Sequence, residues 1–395
     1  MSNATFRALV TADTHLSNNL PHARPLPDGS GLTDRFHDQL ALLEKMATVA
    51  KDEKVDAVFI LGDLWDKRLL DAVTLRYSLE ALAGFAPVPV YVLAGNHDIH
   101  SEVGLRSLTE VFEVTGWKHL HAVSRIEAWE PVKGISFWML PYMPVEMARE
   151  HLGRFRGAIR KGATKAHFLL THLPVLRADM GGHPSEIGLE SHELTEGFNY
   201  VLAGHYHRAQ DFPPSGTTGA GCYVGAPMHL SFADVGNPDD FYLYTFESSG
   251  SIQAEAEGSG TPRFHSVQWP ATATGHELIT AEGMDQVRAG DYLRAEVVAT
   301  HADLVKMQDQ IKQAVRALEE RQIHFRAKHK PIFHHTARIA SSGAGSSLNL
   351  EELLTQYVHS PEVEKGELNE ERLAVLGRAF LANAIRLHGS RHELA

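Results

Sequence analysis

One cysteine, Cys222, stands in 395 residues, so no disulfide can form within the chain and stability must come from packing. This usage fits a reducing compartment, and a cytoplasmic protein is expected. No apolar run approaches the roughly 18 residues of a membrane span. Met1–Phe6 has neither the basic nor the apolar region of a signal peptide, so no membrane association is expected. Positive charge is also scarce: 37 Lys and Arg face 49 Asp and Glu, a net charge of −12. That argues against broad electrostatic adhesion to nucleic acid, which usually needs a basic surface. It leaves room for a phosphate held by metal cations and a few local basic side chains. Histidine, by contrast, is abundant at 25 residues, so a lone histidine says little and only clusters count.

The length suggests two or three domains. The first two thirds alternate short apolar runs with amphipathic stretches. Strands are predicted at Phe6–Ala12, Val55–Leu61, Val88–Leu93, Ile135–Leu140, His167–Thr171 and Tyr200–Ala203, with more near Cys222–Gly225 and Phe241–Phe246. Between the first two, Phe36, Leu40, Leu43, Met46 and Ala50 recur at three and four residues, one face of a helix opened by Thr33 or Asp34. A layered α/β fold with a mixed sheet follows. From Glu247 to Pro262 the residues turn small and polar, which reads as a loop or linker. Beyond it, Tyr292–Ala299 and His324–Lys330 read as strands. Leu304, Met307, Ile311, Val315 and Leu318 mark a helix between them. The stretch Ser341–Ser347 is a second joint, followed by helices over Leu350–Val358 and Glu370–Leu387. The expected division is a layered α/β domain at 1–262, a small α/β cap at 263–340, and a joint with helices at 341–395.

Five clusters sit at or just after predicted strand ends: Asp13-Thr14-His15, Gly62-Asp63-Leu64-Trp65-Asp66, Gly95-Asn96-His97-Asp98, Thr171-His172 and Gly204-His205-Tyr206-His207. Loops at the carboxyl ends of strands in α/β sheets converge on the ligand crevice, so these clusters can meet. Alone, most would be turns or caps. His119-Leu120-His121 repeats the His-x-His pattern but lacks a glycine turn or strand end, and is read as ordinary. Carboxylate, imidazole and one amide, without thiolate, suit Mn²⁺, Fe²⁺ or Zn²⁺ in an open site. Two such ions can activate water and stabilise the attacking and leaving oxygens of phosphoryl transfer. A carboxylate between two dications offsets their repulsion. Asp63, ending a buried strand before a turn, is the candidate bridge.

These clusters, spanning roughly residues 5–230, resemble the calcineurin-like metallophosphoesterase superfamily. The resemblance implies its layered fold with mixed sheets and a pair of divalent metal ions, Mn²⁺ foremost. It implies Asp13, His15, Asp63 and His207 on one ion, and Asp63, Asn96, His172 and His205 on the other. His97 would protonate the leaving group, with Asp98 orienting it. An imidazole with its usual pKa of about 6.5 suits that task near neutrality.

The fold does not choose the phosphoester. Gly62-Asp63-Leu64-Trp65-Asp66 resembles the second motif of SbcD-type DNA-repair exonucleases. Tyr223-Val224-Gly225-Ala226-Pro227, continuing to Leu230-Ser231-Phe232, resembles their Tyr-x-Gly-Ser stretch, with Ala226 where serine is common. The cap and terminal helices match their layout. The resemblance thus implies a metal-dependent DNA exo- or endonuclease subunit in repair or recombination, its terminal helices gripping an SbcC-like ATPase. Leu350, Leu353, Leu354, Tyr357 and Val358 form one apolar stripe, and Leu373, Leu376, Phe380 and Ala384 another; either can dock on a partner or on the chain's own body. A second copy of the chain is a further candidate partner. For DNA contact, Arg154, Arg156, Arg160, Lys161 and Lys165 form one basic run, and His22, Arg24 and Arg35 another. Two other readings stay open: a small-molecule or cyclic-nucleotide phosphodiesterase or phosphatase, and a non-catalytic scaffold on this fold.

Overall fold

The computed structural model describes residues 4–101, 106–162, 164, 166–213, 220–270, 284–299 and 301–331. The joint and helices expected at 341–395 lie outside the described residues. Two six-stranded sheets stack face to face. The first runs in the order Ile252–Gly258, Asp240–Glu247, Thr5–Thr11, Ala57–Ile60, Val90–Leu93, Leu120–Val123. The second runs Gln210–Asp211, Ala220–Tyr223, Tyr200–Ala203, Ala166–Thr171, Ile135–Leu140, Glu127–Val132. Both are mixed, as the sequence implied. Thr5–Thr11 pairs antiparallel on one side and parallel on the other. In the second sheet four parallel strands are flanked by antiparallel edges.

The two-residue period of each strand sorts side chains into layers. Phe6, Ala8 and Val10 face inward with Phe59, Phe137, Phe168 and Phe246 to form the core between the sheets. Leu9, Val58, Ile60 and Val92 face outward onto helices Asp34–Asp52 and Ala72–Ala83. On the far side, Leu169, Val201 and Ala203 meet Leu152 and Phe155 of helix Val145–Ile159. Burying each large apolar side chain contributes about 1.5–3 kcal/mol, so the four layers are held chiefly by this packing. The first helix opens where the sequence placed it, with Thr33 Oγ1 accepting the Phe36 amide at 3.4 Å. No helix among the described residues is long and apolar enough to cross a membrane.

The stretch read as a linker differs. Ile252–Gly258 is an edge strand paired along its length with Asp240–Phe246. Its residues are mostly exposed, so it needs no apolar face, and its Ala/Glu alternation resembles polar loop.

A three-stranded parallel sheet follows, made of Phe264–Pro270, Tyr292–Ala299 and His324–Pro331. Helix His301–Glu320 connects the last two strands and covers one face. Val267, Trp269, Ala295 and Val297 pack there against Met307, Ile311 and Ala314. The other face meets the start of the first helix at Phe264 and Tyr292. Arg35, considered above for DNA contact, is instead fully buried where this sheet meets the first helix. Its guanidinium lies 4.9 Å from the Phe264 ring centre and 5.2 Å from that of Tyr292, and it donates to the carbonyl of His229.

Candidate metal centre

Strand polarity delivers all five clusters to one edge of the sandwich. Main-chain bonds zip the first two loops together: Asp13 N to Gly62 O at 3.0 Å, His15 N to Asp63 O at 3.0 Å, Leu16 N to Leu64 O at 2.8 Å. Asp13, His15, Asp63 and His205 have φ of 53°, 44°, 51° and 114°. Side-chain-bearing residues avoid this region, at a cost of about 1–3 kcal/mol each, and such strain clusters where function over-determines the backbone. The framing glycines are clearance requirements. A Cβ on Gly62 would lie 2.2 Å from Nδ1 of His172, and one on Gly95 would lie 2.1 Å from Oδ1 of Asp63.

The donors converge. Asp13, His15 and His207 offer ligand atoms all within 4.8 Å of one another, and so do Asp13, Asp63 and His172. Oδ2 of Asp63 lies 3.7 Å from Nε2 of His15 and 3.3 Å from Nε2 of His172, so one carboxylate faces both halves. Oδ1 of Asn96 is 2.9 Å from Nδ1 of His205 and 3.2 Å from Nε2 of His172. Nε2 of His207 stands 3.1 Å from Nε2 of His15. The structure thus brings together all seven residues read as ligands. It adds Asp66, which with His15 and His97 forms a third such group. The pair His119 and His121 stays apart, on and beside the edge strand Leu120–Val123, where His121 stacks on Tyr91.

The electrostatics fit a cation site. Burial alone would lower the His172 imidazole, but the carboxylates of Asp63 and Asp13 override it and push it up to about 9. Burial drives His15 and His205 down to about 3, leaving neutral rings with lone pairs free to bind a metal. Burial would raise Asp63; the imidazoles around it, His172 first, hold its carboxyl below the usual range.

Hydrogen bonds on the far side of the rings fix their tautomers. Nδ1 of His172 donates to the Leu61 carbonyl at 2.7 Å, so Nε2 presents its lone pair to the site. Nδ1 of His207 lies 3.2 Å from Oδ1 of buried Asp234, a residue sequence reasoning did not single out. Its only signal was the capping pattern Ser231-Phe232-Ala233-Asp234.

His97 reaches the edge of the donor cluster, its ring 4.7 Å from that of His15. Asp98, expected to orient it, gives its buried carboxylate to three amides instead: Gly95 at 2.9 Å, Trp65 at 3.2 Å and Leu64 at 3.3 Å. Burial, with the Asp63 charge, pushes Asp98 up to about 7. Nδ1 of His97 lies 2.6 Å from the carbonyl of Asp66. Consecutive side chains diverge, so Asp98 clamps the two loops from behind and a main-chain carbonyl holds the His97 ring.

The basic run on helix Val145–Ile159 is remote. That helix follows Leu140 at the ligand edge and runs back at about 1.5 Å per residue, carrying Arg154 and Arg156 toward the opposite edge. There Arg154 pairs with Glu150, and Arg156 binds the Glu196 carbonyl at 3.0 Å. Lys165 lies outside the described residues.

Residues 6–209 match the Calcineurin-like phosphoesterase family, and the chain belongs to it. With its donor clusters it is a metallophosphoesterase, a hydrolase built around divalent metals. The chain is 25% identical over 334 residues to the SbcD component of the SbcCD nuclease of Bacillus subtilis (strain 168), covering 74% of this chain and 81% of that protein. Among solved structures it is similar to a dimetal phosphatase from Danio rerio, at 13% identity and a TM-score of 0.43, over 64% of this chain and 96% of that one. It is also similar to the calcineurin-like phosphoesterase YfkN from Bacillus subtilis, at 11% identity and a TM-score of 0.35, over 80% of this chain and all of that one.

Proposed function

We propose that the protein is the nuclease component of a DNA-processing complex, cleaving phosphodiesters with two divalent ions, Mn²⁺ the first choice. The carrying observation is the Asp63 carboxylate, which faces imidazoles of both ligand groups at once. Asp13, His15, Asp63 and His207 would hold one ion; Asp63, Asn96, His172 and His205 would hold the other. When bound, the ions supply Lewis acidity and an activated water. The remaining work belongs to the chain. Nδ1 of His97 is committed to the Asp66 carbonyl, which leaves Nε2 to deliver a proton to the leaving oxygen. Asp98 keeps the loops bearing Asp63 and His97 in register.

The face of the small sheet opposite helix His301–Glu320 supports a polynucleotide over a small ester. Phe264, Tyr292 and His324 form one row across it, Ser266, Arg294 and Arg326 the next, and Gln268, Glu296 and Lys328 a third. Arg294 lies 4.7 Å over Phe232, two residues from the Asp234 that meets His207. His22 packs on Phe232 and Phe264. Phe264 and Tyr292 are themselves buried beneath Arg35 and His22, so the support comes from Arg294, Arg326 and Lys328: in a chain of net charge −12 their cations suit the phosphates of a single strand. Arg294→Glu with Arg326→Glu is expected to weaken single-stranded DNA binding about tenfold or more and to flatten its salt dependence. Hydrolysis of a small nitrophenyl phosphodiester should persist. Unchanged DNA affinity would favour the small-molecule reading.

The Bacillus subtilis relative's name also favours a complex, and the proposed partner is an SbcC-like ATPase docked on the apolar stripes of residues 350–358 and 373–384. A chain ending at Ala340 should keep Mn²⁺-dependent single-strand cleavage but lose co-purification with the ATPase. Collapse of its thermal stability would assign those helices to the protein's own core instead.

A further inference from the structure

We infer that Asp234 is a positioning residue for His207, setting the tautomer in which that imidazole can bind metal. The inference rests on His207 being a ligand, as proposed above. The carboxylate of Asp234 is buried and divided between two tasks. Oδ2 accepts the amides of Leu230 at 3.0 Å and Ser231 at 2.9 Å, closing a tight turn. Oδ1 faces Nδ1 of His207 at 3.2 Å and accepts the Asn237 side-chain amide at a longer 3.5 Å. An anion there accepts a proton from Nδ1, so the Nε2 lone pair must point toward His15 and the donor cluster. A histidine whose outer nitrogen meets a carboxylate is held in orientation and made a better donor.

The turn cannot easily drift, because the small sheet pins its other side. His229 takes the Phe264 amide on Nδ1 at 3.1 Å and meets the Asn237 carbonyl through Nε2 at 2.8 Å. The Phe232 ring packs edge-on against Phe264 with centres 4.7 Å apart. Asp234 is therefore fixed from the side away from the metal centre, and His207 is fixed by Asp234.

Asp234→Asn separates this role from turn closure. The asparagine oxygen can still accept the Leu230 and Ser231 amides. Its NH₂ group would then face Nδ1 of His207 and favour the proton on Nε2, which blocks the lone pair. Calorimetric titration of the metal-free full chain with Mn²⁺ should show one of two sites weakened about 10–100-fold, with the unfolding temperature of the metal-free protein near wild type. His207→Ala should weaken the same site at least as much, and the double variant should be no worse than His207→Ala alone. Nitrogen NMR of the metal-free wild type, at a pH high enough for the ring to be neutral, should show His207 protonated on Nδ1, which reads the role even if the variant folds poorly. Wild-type affinity in Asp234→Asn beside a lost site in His207→Ala would overturn the role of Asp234 alone, as would a neutral His207 ring protonated on Nε2. Two intact sites in His207→Ala would overturn the ligand assignment beneath it.

Discussion

Asp63→Ala is expected to lose at least one metal ion and all measurable turnover. Asp63 is the proposed ligand to both ions, and the geometry shows why no neighbour replaces it. Its Oδ2 sits between Nε2 of His15 and Nε2 of His172, while Oδ1 accepts the His97 amide at 2.8 Å. Alanine removes the anion that offsets repulsion between two dications and frees the loop that carries His97. Asp13, the other carboxylate among the proposed ligands, is already engaged by the His205 amide at 3.0 and 3.1 Å. Elemental analysis that found two ions in an active Asp63→Ala protein would refute the bridging role.

His97→Ala should behave differently. The ring adjoins the ligand groups but is assigned to neither ion, so metal content and DNA affinity should stay near wild type. Turnover on DNA should fall by about 10²–10⁴-fold, the range for a positioned acid or base. A nitrophenyl ester, whose leaving oxygen needs no proton, should lose far less. Equal losses on both substrates would make His97 a positioning group and not the acid.

The clusters were legible because each pairs a strand end with polar residues in an unusual turn. Glycine precedes Asp63, Asn96 and His205, and the structure supplies the reason: at Gly62 and Gly95 a Cβ would collide with a neighbouring donor. What the chain order concealed depends on three-dimensional packing. Asp234 lies 27 residues beyond His207 in a segment with no ligand-like pattern, and only the fold of its turn aims it at the ring. Arg35, near a helix start, looks solvent-exposed in one dimension, yet aromatic rings from residues 264 and 292 close over it. Asp98 adjoins His97 in sequence, but adjacent side chains in a turn point apart and adjacency does not make contact. The edge strand Ile252–Gly258 is exposed, so it carries none of the apolar signal that marks the buried strands.

A two-metal centre that cuts DNA can be tested in one assay. The purified full chain is incubated with single-stranded DNA, and in parallel with a cyclic nucleotide and a phosphomonoester, in Mn²⁺ and then in excess chelator. DNA should be degraded in Mn²⁺, spared in chelator and degraded again when Mn²⁺ is restored, with far slower turnover of the small substrates. Rapid hydrolysis of a small ester with intact DNA would contradict the nuclease assignment, and DNA cleavage that persists in chelator would contradict the metal centre itself.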